Sequence, residues 1–274
     1  MNILLCCFEE SSRGLSVRYL SSFLKAKEHD VKLLFFNIKK TSEFTSNEIS
    51  EIVKFIKDNK IEWLGISIMT ESFFLARDLS RKLKNIIPSI KIVLGGVHAT
   101  VCPEECLNTD ADFIVMGNGE RPLEKLVSGE DPETIHGIAF KKQNHIVKNP
   151  ALALDFLDLD RLPFPDWELE GKYFLKGGKI EKLDMKTFRE GNTWKASYYP
   201  MITTRGCIYH CSYCNNVNKN LLKRNSVGRA MEELEYIKKV LPFTRGVNIQ
   251  DDSFFMGNDK YLTEFCKELK KRFG

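Results

Sequence analysis

The sequence predicts an α/β protein: a doubly wound, five-stranded parallel sheet, then a hairpin and linker, then a second, shorter run of β–α units. Three observations predict it. Five short apolar runs, at 2–7, 31–38, 63–69, 91–96 and 112–117, lack polar alternation and suit strands buried on both faces. Stretches with apolar residues at helical spacing separate them, the order expected of a sheet with helices on both sides. Small and polar residues gather at the carboxyl ends of those runs, where open α/β sheets bind ligands.

Each element has its own warrant. Ile49, Ile52, Val53 and Ile56 follow the i, i+3, i+4, i+7 rule behind a capping box of Thr45 and Glu48. Leu75, Leu79, Leu83 and Ile86 repeat the pattern until Pro88 stops the helix. The strand ends carry Cys6-Cys7, Ser67-Ile68-Met69-Thr70, Gly95-Gly96-Val97-His98 and Gly117-Asn118-Gly119-Glu120. Runs at 135–140 and 145–148 flank Lys141-Lys142-Gln143-Asn144 and predict a β-hairpin. Leu162-Pro163-Phe164-Pro165 should be extended, because each proline pushes its predecessor out of the helical region. The polar segment 170–198 has no clear period and is expected to be a linker or a loop over a site. Alternation then resumes with a strand at 199–204, a cysteine loop and a helix at 228–240. A strand at 247–250 and a helix at 259–273, burying Leu262, Phe265, Cys266 and Leu269, complete the pattern.

Composition narrows the function classes. A chain of 274 residues, 43% apolar and 28% charged, has room for one large or two ordinary globular domains. The balance of 41 basic against 37 acidic residues leaves +4, too little to argue for a nucleic-acid partner. No apolar run approaches the roughly 18 residues of a spanning helix. The first residues also lack the basic segment of a signal peptide. These features predict an intracellular, cytoplasmic protein. In that reducing compartment clustered cysteines point to metal binding or catalysis before disulfides.

Eight cysteines are present, and three form Cys207-x3-Cys211-x2-Cys214. Three thiolates on a short loop can hold three irons of a 4Fe–4S cluster, leaving the fourth iron open to a substrate or cofactor. A structural zinc would need a fourth ligand, for which His210 is the candidate. Cys102 and Cys106, one helical turn apart and near Cys6 and Cys7 at one sheet edge, suit a second metal site or buried thiols. Gly95, Gly96 and His98 also suit a tight turn with a polar cap, and Ser67 and Met69 a strand-end serine and a core methionine. Asp251 and Asp252 either end a strand or meet a ligand, Ser226 suits a helix N-cap, and Cys266 is expected in the core.

Arg205-Gly206-Cys207-Ile208-Tyr209-His210-Cys211-Ser212-Tyr213-Cys214 resembles the CxxxCxΦC signature of the radical S-adenosylmethionine (SAM) family, with Tyr213 as its aromatic residue. A strand before the loop and a helix after it are the context expected for it. Gly65-Ile66-Ser67-Ile68-Met69, Gly95 to Thr100, Gly117 to Glu120 and Leu162 to Pro165 resemble proteins with a cobalamin-binding domain ahead of a radical SAM barrel. That subgroup includes C-methyltransferases and anaerobic Mg-protoporphyrin ester cyclases. The resemblance covers nearly the whole chain. It implies a Rossmann-like cobalamin-binding domain over 1–128, a hairpin and linker over 129–198, and the first part of a radical SAM (β/α) barrel over 199–274.

The same resemblance implies a 4Fe–4S cluster on Cys207, Cys211 and Cys214, and SAM beside Tyr213 and Asp252. Cobalamin would lie against Ser67, Gly95, Gly96, His98, Gly117, Gly119 and Glu120. The implied reaction is reductive cleavage of SAM to a 5′-deoxyadenosyl radical, fed by a flavodoxin- or ferredoxin-type donor. Methyl transfer or cyclisation on a small-molecule or peptide substrate would follow. Two departures qualify it. Phe8-Glu9-Glu10-Ser11-Ser12-Arg13-Gly14 stands where an Asp-x-His-x-x-Gly motif would supply the lower cobalt ligand, so bound cobalamin would lack that histidine. The family's barrel also has more βα units than follow Tyr199 here. The expectation is a truncated barrel with an exposed edge at 247–250 that binds a cluster poorly and oligomerises. A non-catalytic cobalamin-binding fragment and a radical SAM relative without cobalamin are the alternatives.

Overall fold

A computed structural model describes residues 1–8, 14–36, 43–143, 145–151, 158–192, 197–214, 221–255 and 259–274. Two compact units emerge: Met1–Leu152 with Leu169–Asn192, and Ala153–Glu168 with Thr193–Gly274.

The first unit opens with β1 (Asn2–Cys7), α1 (Leu15–Lys25), β2 (Asp30–Phe36), α2 (Ser46–Asp58), β3 (Trp63–Ser67) and α3 (Phe73–Ile86). It continues through β4 (Lys91–Gly95), α4 (Val97–Val101), α5 (Pro103–Leu107), β5 (Phe113–Val115) and α6 (Glu120–Val127). Then come β6 (Ile138–Lys142), β7 (His145–Lys148), β8 (Lys172–Lys176), β9 (Lys179–Lys182) and α7 (Met185–Asn192). The nine strands form one sheet in the order β7-β6-β5-β4-β3-β1-β2-β8-β9. Its centre, β2-β1-β3-β4-β5, is parallel throughout.

Period-two alternation sorts this sheet's side chains. Leu4, Cys6, Leu34, Phe36, Leu64, Ile66, Ile92 and Leu94 pack with Ile49, Ile52 and Ile56 of α2 and Leu75, Leu79 and Leu83 of α3. Ile3, Leu5, Leu33 and Phe35 are buried outside that cluster, as are Val17 and Leu24 of α1 and Leu123 and Leu126 of α6. Both faces are therefore covered, which explains the unbroken apolar runs. The expected capping box is present: Thr45 Oγ1 accepts from Glu48 N at 3.3 Å, and Thr45 N donates to Glu48 Oε2 at 2.8 Å.

Two expectations for this unit need correction. The sheet has nine strands rather than five, because the 138–148 hairpin pairs antiparallel with β5. The segment 170–198, expected to be a linker, supplies β8 parallel to β2 and β9 antiparallel to β8. Gly177 and Gly178, at φ +59° and +77°, make the two-residue turn between them, which favours positive φ at both positions. Phe174 and Leu175 are buried, and Tyr173 packs edge-on to Phe55 of α2 at 4.7 Å.

The second unit contains β10 (Tyr198–Met201), β11 (Thr204–Cys207), β12 (Leu221–Arg224), α8 (Val227–Val240), β13 (Gly246–Ile249) and α9 (Asp259–Phe273). Strand β10 pairs parallel with β13, and β11 antiparallel with β12. The single strand expected at 199–204 is split because Asp251 holds the turn: its Oδ1 accepts from Thr203 N at 2.6 Å and from Thr204 N at 3.0 Å. The cysteine loop lies between antiparallel strands, so β12 precedes the helix that was expected to follow it directly. Ser226 is the N-cap of α8, accepting from Arg229 N at 3.1 Å.

The extended Leu162–Pro165 segment docks on α8. Arg229 Nη2 donates to the Leu162 carbonyl at 2.9 Å, and its guanidinium lies 3.8 Å from the Phe164 ring centroid. Arg229 also pairs with Glu233 at 3.1 Å, while Tyr199 Oη donates to the same carboxylate at 2.5 Å. Helix α9 turns Tyr261 and Phe265 inward against Phe254. Cys266, one residue and about 100° further round the axis, is exposed rather than core. Leu262 and Leu269 are only half-buried. Among the described residues, no helix is long and apolar enough to cross a membrane.

Candidate functional site

Strands β2 and β3 lie on opposite sides of β1, so the chain reverses direction there and opens a crevice beyond the carboxyl ends of β1 and β3. Ser16 Oγ on α1 and Ser67 Oγ at the end of β3 stand 3.1 Å apart. Met69 is 56% exposed, so it is not the core methionine that was one reading of its position. On the next turn Gly96 has φ +96° and ψ −171°, a region essentially confined to glycine. A Cβ there would stand 2.7 Å from the Ile68 carbonyl oxygen.

Thr100 joins the β4 and β5 turns. Its Oγ1 donates to the Gly96 carbonyl at 2.8 Å and accepts from Gly117 N at 3.0 Å. Sequence reasoning did not single it out, although its place four residues after Gly96, one helical turn on, was an available signal. Gly95 and Gly117 leave room where a side chain would project, with nothing nearer than 3.7 Å. Gly119 packs closer, since a Cβ there would meet Leu20 at 3.1 Å. Glu120 is buried in the first turn of α6.

His98 is 5% exposed, with Nδ1 3.2 Å from Thr70 Oγ1 and its ring 4.6 Å from that of Phe73. Cys6, Cys7 and Cys106 are buried. Burial pushes the Cys6 thiol up, and pushes Cys106 up to about 12 with help from the nearby Glu105 and Cys102. Cys106 is therefore a core thiol, and only Cys102 of that pair faces partly outward.

In the second unit Cys207 ends β11 and is buried, while Cys211 and Cys214 are half-buried on the loop beyond it. Tyr209 N donates to Cys207 Sγ at 3.5 Å, and Cys214 N donates to the Cys211 carbonyl at 3.0 Å, curling the loop. The three sulfurs are not all within 4.8 Å of one another. Tyr213 is 88% exposed, and its hydrogen bond to Cys211 raises its hydroxyl pKa, with the charges of Cys211 and Cys214 adding to the effect. Asp252 is exposed, whereas Asp251 is committed to the Thr203–Thr204 turn.

Residues 1–127 match the B12 binding domain family. An uncharacterized methyltransferase of Pyrococcus horikoshii is 27% identical over 94% of this chain and 52% of its own length. The cytidylyl-2-hydroxyethylphosphonate methyltransferase of Streptomyces wedmorensis is 24% identical over 87% of this chain and 51% of its own length. The anaerobic magnesium-protoporphyrin IX monomethyl ester cyclase of Rubrivivax gelatinosus is 25% identical over 93% and 44% respectively. This chain's first 127 residues thus match a B12 binding domain, and the chain is similar to proteins named as methyltransferases and a magnesium-protoporphyrin ester cyclase. It spans about half the length of the curated relatives it matches.

For a cobalamin-binding relative, the first unit's chemistry fits. The crevice offers neutral hydroxyls at Ser16 and Ser67, uncrowded turns at Gly95 and Gly117, and the exposed apolar Met69, Val97 and Val101. A large ligand with apolar faces and amide edges needs such a mixture. Of the segment in which a lower histidine ligand was sought, Glu9 to Arg13 lie outside the described residues. In the second unit three thiols, none in a disulfide, give the sulfur donor set that iron–sulfur clusters use.

Proposed function

We propose that this chain carries the cofactor-binding parts of a cobalamin-dependent radical SAM enzyme acting in the cytoplasm. Cys207, Cys211 and Cys214 would ligate a 4Fe–4S cluster, with Tyr213 and Asp252 beside the bound SAM. Ser67, Gly95, Gly96 and Gly117 would meet cobalamin, with Gly119 and Glu120 shaping the start of α6 behind them and His98 beneath the Gly96 turn. When loaded, these cofactors supply one-electron cleavage of SAM and transfer of a methyl group or closure of a ring. A flavodoxin- or ferredoxin-type protein would deliver the electron, and the substrate is a small molecule or peptide. The observation that carries the reading is the Cys207–Cys214 loop leaving β11, in a chain whose first 127 residues match the B12 binding domain family.

The chain's own contribution is binding, orientation and exclusion of water. Cys207 anchors the loop at a strand end, while the half-buried Cys211 and Cys214 leave the mouth accessible. Anaerobic reconstitution with iron and sulfide should give about four irons per chain. Cys211→Ala should remove the cluster's visible absorbance; an unchanged spectrum would overturn the assignment. A radical SAM relative without cobalamin is the second reading, favoured by the lack of any histidine between Phe8 and Gly14. Corrinoid retained after desalting supports the first reading, and its absence the second.

A further inference from the structure

We propose that His98, Cys102 and Glu105 form a divalent-metal site, suited to zinc, where α4 passes into α5. Their ligand atoms all lie within 4.8 Å of one another. The spacing His98-x3-Cys102-x2-Glu105 spans the junction of two short helices, so successive turns aim three side chains at one point. None of them belongs to the cysteine loop, and the site stands whether or not the radical reading holds. It gives His98 a role distinct from the cobalamin contact that the family resemblance implies.

The independent observation is the histidine. Its Nε2 is buried without a hydrogen-bond partner, and Glu105 Oε2 stands 3.5 Å away. A buried polar nitrogen without a hydrogen bond has lost its water and gained nothing in return, so such an atom calls for an explanation. On the other side of the ring, Thr70 Oγ1 can accept from Nδ1–H at 3.2 Å. With the hydroxyl accepting in this way, Nε2 carries a lone pair, the outer-shell arrangement usual for metal-bound histidine. Phe73 packs on the ring and holds its direction. One nitrogen, one sulfur and one carboxylate form a set that favours zinc over magnesium or calcium. Burial falls from His98 through Cys102 to Glu105, leaving a fourth position toward solvent. The neighbouring Glu104 is engaged elsewhere, with Lys148 at 2.5 Å.

Cobalt(II) is the probe, titrated into the full chain carrying Cys207→Ser, Cys211→Ser and Cys214→Ser so that the cysteine loop cannot contribute. About one equivalent should bind with a thiolate-to-metal absorption band, and zinc should displace it. Adding Cys102→Ser should abolish the band. Glu105→Gln should keep the band and weaken binding by about ten-fold or more. Cys102 and Glu105 are at least partly exposed, so these variants should fold, which circular dichroism checks. No cobalt binding by the triple-serine chain, or a band that survives Cys102→Ser, would overturn the site.

Discussion

At the scale of single residues, backbone geometry and buried charge make the sharpest demands. Gly96 has both a glycine-only conformation and a carbonyl within 2.7 Å of any Cβ. Gly96→Ala should therefore cost about 1–3 kcal/mol in urea denaturation and reduce corrinoid retention, whereas Gly95→Ala should be milder because its surroundings are open. Asp78 accepts from Phe44 N at 2.8 Å and pairs with Lys82 and Arg81 at 2.8 and 3.0 Å. Burial alone would raise its pKa, but Lys82, the Phe44 amide and Arg81 outweigh it and hold the carboxyl below its ordinary value. A depressed carboxyl stabilises the fold above its unfolded pKa and loses that contribution as pH falls through the folded one. Asp78→Asn should lower stability at pH 7 by about 2–3 kcal/mol, with the gap narrowing in acid below the normal carboxylate range. An equal gap at both pH values would refute the assignment. The cysteine loop and Gly95-Gly96-Val97-His98 were legible because their meaning lies in local spacing. Glu105 was not, since nothing in its neighbourhood announces that His98 Nε2 lies beside it.

At the scale of elements, caps and turns decide where helices and strands begin. Ser226 caps α8, and its own N–H donates to Asp160 Oδ1 at 2.7 Å. Ser226→Ala should cost about 1 kcal/mol by thermal or chemical unfolding, while Ser226→Asp should recover most of it. The expected capping of α2 and α8 was readable because an N-cap acts over three residues. The β8–β9 hairpin was missed although Gly177-Gly178 is a strong turn signal, because Lys172, Lys176, Lys179 and Lys182 masked the short apolar centre. Strand β9 is the sheet edge, where the exposed Lys179 and Lys182 discourage further pairing, whereas Lys172 on β8 is buried. The inward face of α9 was misjudged for a different reason. Tyr261, Leu262, Phe265, Cys266 and Leu269 offer two overlapping apolar stripes, and packing against Phe254 selects the one bearing Tyr261 and Phe265.

For the whole molecule, the two units differ in how their strands are supported. In the first, β1, β3 and β4 each have a partner on both sides and helices over the sheet. In the second, the described strands form two separate pairs, β10 with β13 and β11 with β12. Amides of β1 and β3 should therefore exchange roughly ten-fold or more slowly than those of β10 and β13, measured by hydrogen exchange on the full chain. Equal protection would show that the units open together. The buried Arg229–Glu233 pair is central to the second unit. Glu233→Ala would leave the guanidinium uncompensated, and is expected to cost about 3–5 kcal/mol and to raise exchange in α8 first.

The sequence by itself determined the alternation of strands and helices, the buried faces of α2 and α3, and the cysteine spacing that suggests a cluster. Each depends on periodicity or covalent spacing within a few residues, which any tertiary context must respect. Tertiary structure alone decided that β8 would join β2 across more than a hundred residues, that Cys266 would face solvent, and that Glu105 would meet His98. Those outcomes depend on which surfaces bury each other when the whole chain folds, a competition among distant segments that local pattern does not encode.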